Sequence, residues 1–318
     1  MYIYAIFFFG WYLFWKLHQM IEKIYLFVLC RTPMEVITMK FGFIGAGKVG
    51  FSLGRYFKDN SIQLSGYYSR NKESAIEAAK FTKSNFYNNL NQLIEDSNII
   101  FITTPDNEIG EVWNQIKEYD IKEKIICHCS GSLSSKVFSK IHEYKAYGYS
   151  IHPMFAISDK YNSHKDLNKA YFTIEGDSKY LDYFSDLFSK LNNNFKIISD
   201  ENKAKYHAAS VIISNHVIAL AKTSNDLLVQ CGFSEEEANE ALFPLMYNNV
   251  LSIGTKGTTN SLTGPVERGD TKTIKKHLEC LNNKDKELYK LLSEKLIKIA
   301  EKKNKDRNYS DLYEVMGD

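Results

Sequence analysis

Lys40-Phe41-Gly42-Phe43-Ile44-Gly45-Ala46-Gly47-Lys48-Val49-Gly50 is the stretch that decides how this chain folds. A short apolar strand, Lys40–Ile44, runs into G-x-G-x-x-G at Gly45, Gly47 and Gly50. A helical pattern with Val49, Leu53 and Phe57 on one face then continues to Asp59. In a strand–turn–helix unit the first glycine permits the tight turn. The second lets backbone approach a pyrophosphate, and the third lets the helix pack on the strand. The unpaired amides of the helix N-terminus, offered by Gly45, Ala46, Gly47, Lys48 and Val49, attract phosphate. The motif is weak evidence alone, but here a strand precedes it, a helix follows it, and a second strand, Gln63–Tyr68, ends at the expected distance. Dinucleotide binding is the expectation.

That second strand ends in Tyr67-Tyr68-Ser69-Arg70-Asn71. An NAD site usually places Asp or Glu near this point, on the ribose 2′-hydroxyl. Ser69, Arg70 and Asn71 offer a hydroxyl, a guanidinium and an amide instead, and Arg70 suits a 2′-phosphate. NADP(H) is the expected cofactor. Thr103-Thr104-Pro105 and Ser130-Gly131-Ser132 end two later strands, at the carboxyl edge where such sheets bind ligands. Thr103, Thr104, Pro105 and Ser130 are therefore further cofactor candidates, with helix capping as their alternative duty.

Outward from the fingerprint, strand and helix signals alternate: a helix over 72–81, a short strand at Phe86-Tyr87, then strands at Ser97–Thr103, Lys124–Cys129, Tyr147–Ile151, Tyr171–Glu175 and Phe195–Ile198. Strands separated by helical segments predict parallel pairing with helices on both faces. After about Asp200 the period becomes 3.6, with helices over Lys203–Cys231, Ser234–Ser252, Lys272–Leu281 and Lys284–Lys303, and a polar tail expected to fray. The fold class is α/β: a doubly wound Rossmann domain over 39–199, followed by an all-helical domain over 200–318 for substrate and dimerisation.

Residues 1–38 do not match the rest. They are aromatic and aliphatic, broken by Lys16, His18, Glu22 and Lys23, and their first apolar run of 15 residues falls short of the roughly 20 that span a bilayer. Neither a basic start nor a small-residue cleavage site marks a signal peptide. The segment reads as upstream sequence ahead of a natural start at Met39, with an anchoring helix or a packed helix as alternatives. Membrane association is expected only if the segment is real.

With 40 basic and 38 acidic residues the formal net charge is +2, which gives no electrostatic case for nucleic acid. The five cysteines are odd in number and irregularly spaced, so a reduced, cytoplasmic protein without a disulfide framework is expected. Cys127-His128-Cys129 lies in a strand-like run where alternate residues face opposite sides. No second ligand pair stands at zinc spacing, so no metal site is expected.

Three segments carry candidates for chemistry. Ser150-Ile151-His152-Pro153-Met154 ends a strand, with His152 placed to orient a substrate or donate a proton. In the helix from Lys203, the residues Lys203, His207, Ser210 and Ser214 recur at i, i+4, i+7 and i+11, a single polar stripe, followed by Asn215 and His216. Such a stripe is either functional or a solvated face. Leu262-Thr263-Gly264-Pro265-Val266-Glu267-Arg268-Gly269-Asp270 presents Arg268, a fork-shaped cation suited to a carboxylate, with Asp270 expected to cap the next helix.

From Met39 to about Lys303 the chain resembles a family of Rossmann-type oxidoreductases whose helical C-terminal domain long had no assigned function. The resemblance rests on the Gly45–Gly50 fingerprint, Cys129-Ser130-Gly131-Ser132-Leu133, His152-Pro153-Met154, Tyr206-His207-Ala208-Ala209, Ser214-Asn215 and Leu262–Asp270. Some members are alternative ketopantoate reductases using NADPH in pantothenate and coenzyme A synthesis. The resemblance implies a homodimer that reduces a small 2-oxo acid. Lys203 or His207 would be the proton donor, and His152, Ser214, Asn215 and Arg268 the substrate contacts. Distantly similar dehydrogenases carry asparagine four residues after the helical lysine. Here His207 stands at that spacing, which leaves the donor open between the two. The alternatives are a reductase of a cyclic imine or a β-hydroxy acid, and a non-catalytic NADP-binding sensor or partner module.

Overall fold

Alternate side chains of the central strands go to opposite sides of one sheet, which is why their runs read as continuously apolar. In the computed structural model, which describes residues 39–317, β1 (Phe41–Ile44), β4 (Ile99–Ile102) and β5 (Ile125–His128) are buried at every position. Phe41, Phe43, Phe101 and Cys127 join one core cluster, while Ile44, Ile100, Ile102 and Ile126 join another. The readings of residues 1–38 as upstream sequence, anchor or packed helix lie outside the described residues.

The full order of the first unit adds α1 (Lys48–Asp59), β2 (Leu64–Tyr68), α2 (Lys72–Thr82), β3 (Asn85–Phe86), α3 (Leu90–Asp96) and α4 (Asp106–Ile116). After β5 come β6 (Tyr147–Met154), β7 (Tyr171–Gly176), α5 (Leu181–Lys190) and β8 (Phe195–Ile197). The eight strands lie in the order β3-β2-β1-β4-β5-β6-β7-β8. Phe51 and Phe57 of α1, the alanines of α2, and Phe184 and Phe188 of α5 cover one face. Leu93 and Ile94 of α3 and Trp113 of α4 cover the other. Phe43 stacks between Tyr67 at 5.0 Å and Phe101 at 5.5 Å, joining three neighbouring strands. The chain order reverses between β1 and β4, and ligands bind outside the carboxyl ends of strands at such a switch point.

The sheet departs at one place from the parallel pairing that the sequence predicts. Pairing is parallel except between β6 and β7, which run antiparallel with Ser150 opposite Glu175 and His152 opposite Thr173. Residues 155–170 contain a single short 3-10 turn, Ser163–Lys169, in place of a regular crossover helix. The chain therefore returns along the edge of β6.

The described residues fall into two compact units that part between Ser210 and Val211. The boundary lies within α6 (Lys203–Gln230). The second unit continues with α7 (Glu235–Ser261), α8 (Pro265–Arg268), α9 (Thr271–Cys280), α10 (Asn283–Lys303) and α11 (Ser310–Met316). Ser234 and Glu237 start α7 with a reciprocal capping box, at 3.2 and 2.8 Å. Past the expected end at Ser252 the helix runs on to Ser261, broken by Gly257 at φ +74°. Asp270 caps α9, accepting from the Thr273 amide at 3.0 Å.

The polar tail does not fray as expected. Tyr309, Leu312 and Met316 recur at helical spacing and are buried with Val266, Ile274 and Ile297 in this unit's own core. Burial of each stabilises by about 1.5–3 kcal/mol. Among the described residues no helix is long and apolar enough to cross a membrane.

Candidate active site

The turn after β1 is held by its glycines. Gly45 sits at φ +99°, a conformation open to glycine, with the backbone of Thr103 and Thr104 3.1 Å from where a Cβ would be. A Cβ on Gly50 would meet Thr103 Oγ1 at 2.4 Å and the Gly45 carbonyl oxygen at 2.8 Å. Gly47, the N-cap of α1, would meet nothing within 4 Å, so its backbone faces open space. The Thr103 hydroxyl braces this turn, donating to the Gly45 carbonyl at 3.0 Å.

Around the turn lies a cleft of about 470 Å³, lined among others by Gly45, Ala46, Gly47, Ser69, Arg70, Asn71, Thr103, Thr104 and Pro105. Lys48 and Val49 belong to the first turn of α1 beside it. Asn71 also has a structural duty, since its side chain caps α2 by accepting from the Ser74 amide at 2.9 Å. The Arg70 guanidinium pairs with Glu108 in the first turn of α4, a partner that sequence spacing did not reveal. Thr104 Oγ1 is buried with no hydrogen-bond partner. An open glycine turn, a helix N-terminus, an arginine at the end of β2 and an unsatisfied hydroxyl together fit a dinucleotide phosphate and ribose.

At the neighbouring edge, the ends of β5 and β6 meet the first turns of α6. Lys203 is 2% exposed, and its Nζ donates to the Ser130 carbonyl at 3.0 Å and to Ser150 Oγ at 2.7 Å. Ser150 Oγ itself donates to the Ser130 carbonyl at 3.2 Å. Two residues along β6, His152 Nδ1 lies 2.7 Å from the hydroxyl of Tyr206. A Cβ on Gly131 would come within 2.7 Å of the His207 ring and 3.0 Å of His152 Nε2, so glycine is what lets both rings close on this turn. Asp106, at the start of α4, accepts from Ser130 Oγ at 2.6 Å and from Ser132 Oγ at 2.9 Å. Ser130, His152, Lys203 and His207, chosen from separate segments, are thus brought together. Ser150, Tyr206 and Asp106 were not chosen, although Ser150 stands two residues before His152, the spacing that puts strand residues on one face.

Burial dominates the electrostatics. It pulls the Lys203 amine down to about 8, partly offset by the carboxylates of Glu175 and Asp106. Burial, and then the charge of Lys203, holds His152 down at about 4, so its imidazole is neutral at physiological pH and acts as a hydrogen-bonding group. His128 is likewise held at about 4, chiefly by burial. Burial raises the Cys127 thiol, and raises Cys129 to about 12, which makes both poor thiolate ligands near neutrality. Among the described residues no three His, Cys, Asp or Glu side chains converge on a metal site.

The remaining candidates belong to the second unit. Ser214 and Asn215 are exposed on α6, with Ser214 Oγ donating to Asn215 Oδ1 at 3.0 Å. Arg268, at the end of α8, is exposed. Its neighbour Glu267 is a scaffold residue: its carbonyl accepts from Tyr309 Oη and Arg307 Nη1, both at 2.7 Å, and its carboxylate accepts from Asn304 at 2.8 Å. Much of the Leu262–Asp270 segment is therefore explained by packing.

Two family models match parts of the chain. Residues 40–130 match the family model described as NADP oxidoreductase, coenzyme F420-dependent. Residues 170–296 match a domain of unknown function, DUF2520. Protein TM1727 from Thermotoga maritima is similar in structure, with a TM-score of 0.68 and 26% identity over 83% of this chain and 99% of that one. A putative NADP oxidoreductase, BF3122 from Bacteroides fragilis, has a TM-score of 0.65 at 22% identity, over 82% of this chain and 98% of its own. Pyrroline carboxylate reductase from Plasmodium falciparum shares the fold at a TM-score of 0.55 and 19% identity, over 83% of this chain and 97% of its own. No curated protein matches the sequence. The chain thus joins a match to an NADP oxidoreductase model to a match to DUF2520, in the order of a Rossmann domain followed by a helical one.

Proposed function

We propose that the protein is an NADPH-dependent reductase of a small 2-oxo acid, with ketopantoate the best single candidate and pantoate its product. One observation carries the reading: a lysine amine, buried against Ser130 and Ser150 at the carboxyl edge of the sheet and poised near 8. When bound, the dinucleotide supplies the hydride. The carbonyl oxygen then gathers negative charge and needs a proton, and a donor whose pKa lies close to the working pH is the efficient choice. Lys203 is that donor in our reading. The neutral His152, steadied by Tyr206, orients the substrate. His207 closes the same turn and is the alternative donor. Ser214, Asn215 and Arg268 are retained as proposed substrate contacts, each expected to raise KM when removed.

A cyclic imine is the second reading, since the P. falciparum reductase shares this fold. A protonated lysine favours an anionic oxo acid and repels an iminium cation, which is the ground for preferring the carbonyl. NADPH oxidation followed against a panel of 2-oxo acids and cyclic imines separates them. The expected outcome is turnover of a 2-oxo acid, ketopantoate foremost; turnover confined to imines would overturn the reading.

We further propose that two copies pair through the second unit. Ile213 is 70% and Leu245 64% exposed. A groove of about 740 Å³, lined by Leu220, Leu242, Phe243 and Met246, lies between α6 and α7. Residues 241–255 of α7 contain no Asp, Glu, Lys or Arg. Large apolar side chains left open along an uncharged stretch are ordinarily covered by a partner, and Glu240, which also lines the groove, is a charge that pairing would have to accommodate. Light scattering is expected to give twice the chain mass, and Leu245→Lys to reduce it to one.

A further inference from the structure

A buried ammonium group with no carboxylate in contact tends to lose its proton. Both hydrogen bonds that fix Lys203 Nζ go to neutral oxygens, the Ser130 carbonyl and Ser150 Oγ. The charge that keeps the amine protonated must therefore sit further out. Two carboxylates are placed for it. Asp106 at the start of α4 is exposed and screened by water. Glu175 on β7 is 5% exposed, and its two oxygens accept from the Ser135 amide and hydroxyl, each at 2.7 Å. The antiparallel register sets Glu175 directly opposite Ser150. Side chains so paired stand on the same face of the sheet, with Cβ atoms roughly 5 Å apart. Lys136 also feels the charge of Glu175, but it is exposed and its ion pair is with Asp200, while His142 lies 3.7 Å from Asp177.

We propose that Glu175 is the buried counter-charge of Lys203, a positioning residue that keeps the amine protonated and aimed through Ser150 without touching it. The proposal rests on Lys203 being the proton donor. Separation has a chemical purpose. A carboxylate in direct contact would hold the proton too firmly to release, whereas one carboxylate beyond a serine raises the proton's residence and leaves it transferable. The other groups that face the amine are His128 from β5, Cys129 just after it, His152 from β6, and Tyr206 from its own helix. None of these is an anion near neutral pH, which leaves the buried Glu175 and the screened Asp106 as its negative neighbours.

The test uses the full chain with NADPH and the best 2-oxo acid. In wild type, kcat/KM is expected to fall on the alkaline side as Lys203 loses its proton near pH 8. Glu175→Gln keeps the shape and one acceptor, for the Ser135 amide, lets its own amide donate to the Ser135 hydroxyl, and removes the charge. It is expected to move that limb down by about one to two pH units, so that the rate at pH 8.5 drops roughly tenfold or more. Glu175→Asp should return the limb most of the way, and NADPH affinity should hold in both variants. Titration of the Lys203 side-chain carbon by NMR, assigned with Lys203→Met, reads the same shift without catalysis. An unchanged Lys203 titration in Glu175→Gln would overturn the proposal. Full turnover by Lys203→Met would instead overturn the proton-donor reading, and the NMR shift would still report on Glu175.

Discussion

Two positions on α6, one at its start and one about three turns on, invert the ordinary rule of burial in opposite senses. At its start a lysine, the side chain least suited to a dry environment, is almost completely enclosed, whereas ten residues on Ile213 is 70% exposed. Neither placement stabilises an isolated chain. A buried charge held by neutral hydrogen bonds points to chemistry, and an exposed isoleucine on an uncharged face points to a missing partner. On the proposed reading one helix serves both the site and the pairing of copies, and each role is marked by the place where folding alone would have chosen another residue.

Removing the buried charge should have the largest effect on activity. Lys203→Met is expected to lower kcat about 10²–10⁴-fold in steady-state assays, the usual worth of a proton donor, with NADPH binding intact. The same variant should be the more stable protein. The amine titrates at about 8 in the fold and at 10.5 unfolded. Between those values the unfolded chain binds more protons, so stability rises with pH across that window. Below pH 8 the penalty is fully present, at about 3 kcal/mol. Thermal unfolding at pH 7 should therefore show a Tm raised by several degrees. A lowered Tm would mean that the Ser130 and Ser150 contacts outweigh the burial of charge.

The nucleotide end is expected to respond less. Arg70→Ala should weaken NADPH by about 10- to 100-fold in fluorescence titration and leave NADH nearly unchanged, as loss of one charge-assisted contact predicts. Glu108→Gln, which frees Arg70 from its partner, should tighten NADPH a few-fold. The acid response falls on stability and not on activity. His128 and His152 are held near 4 in the fold against 6.5 unfolded. The unfolded chain binds more protons between those values, so stability falls as pH drops from 6.5 to 4, by about 3 kcal/mol for each imidazole. Denaturant unfolding at pH 7 and pH 5 checks it, and the loss should shrink in His128→Phe.

Local pattern made much of this legible in the sequence. The strand, G-x-G-x-x-G and helix at Phe41–Asp59 form one contiguous unit, and Ser69-Arg70-Asn71 follows at a set distance, so both could be read without knowing the sheet. Lys203 and His207 also share a helical face. Residues joined only by the fold were not legible. Glu175 meets Ser150 because β7 turns back antiparallel, and Asp106 meets Ser130 because β4 and β5 are neighbours. The tail was misread for a different reason. Lys302 to Asn308 is dominated by charge, and the apolar positions that dock the last helix begin only at Tyr309.

The central claim is that a buried Lys203 protonates a reduced 2-oxo acid. The pH dependence of kcat/KM for NADPH oxidation by wild-type protein, measured with ketopantoate, tests it most directly. The account predicts a rate that holds steady through neutrality and falls above about pH 8, where the amine loses its proton. A rate that climbs steadily through pH 8 to 10 would contradict it.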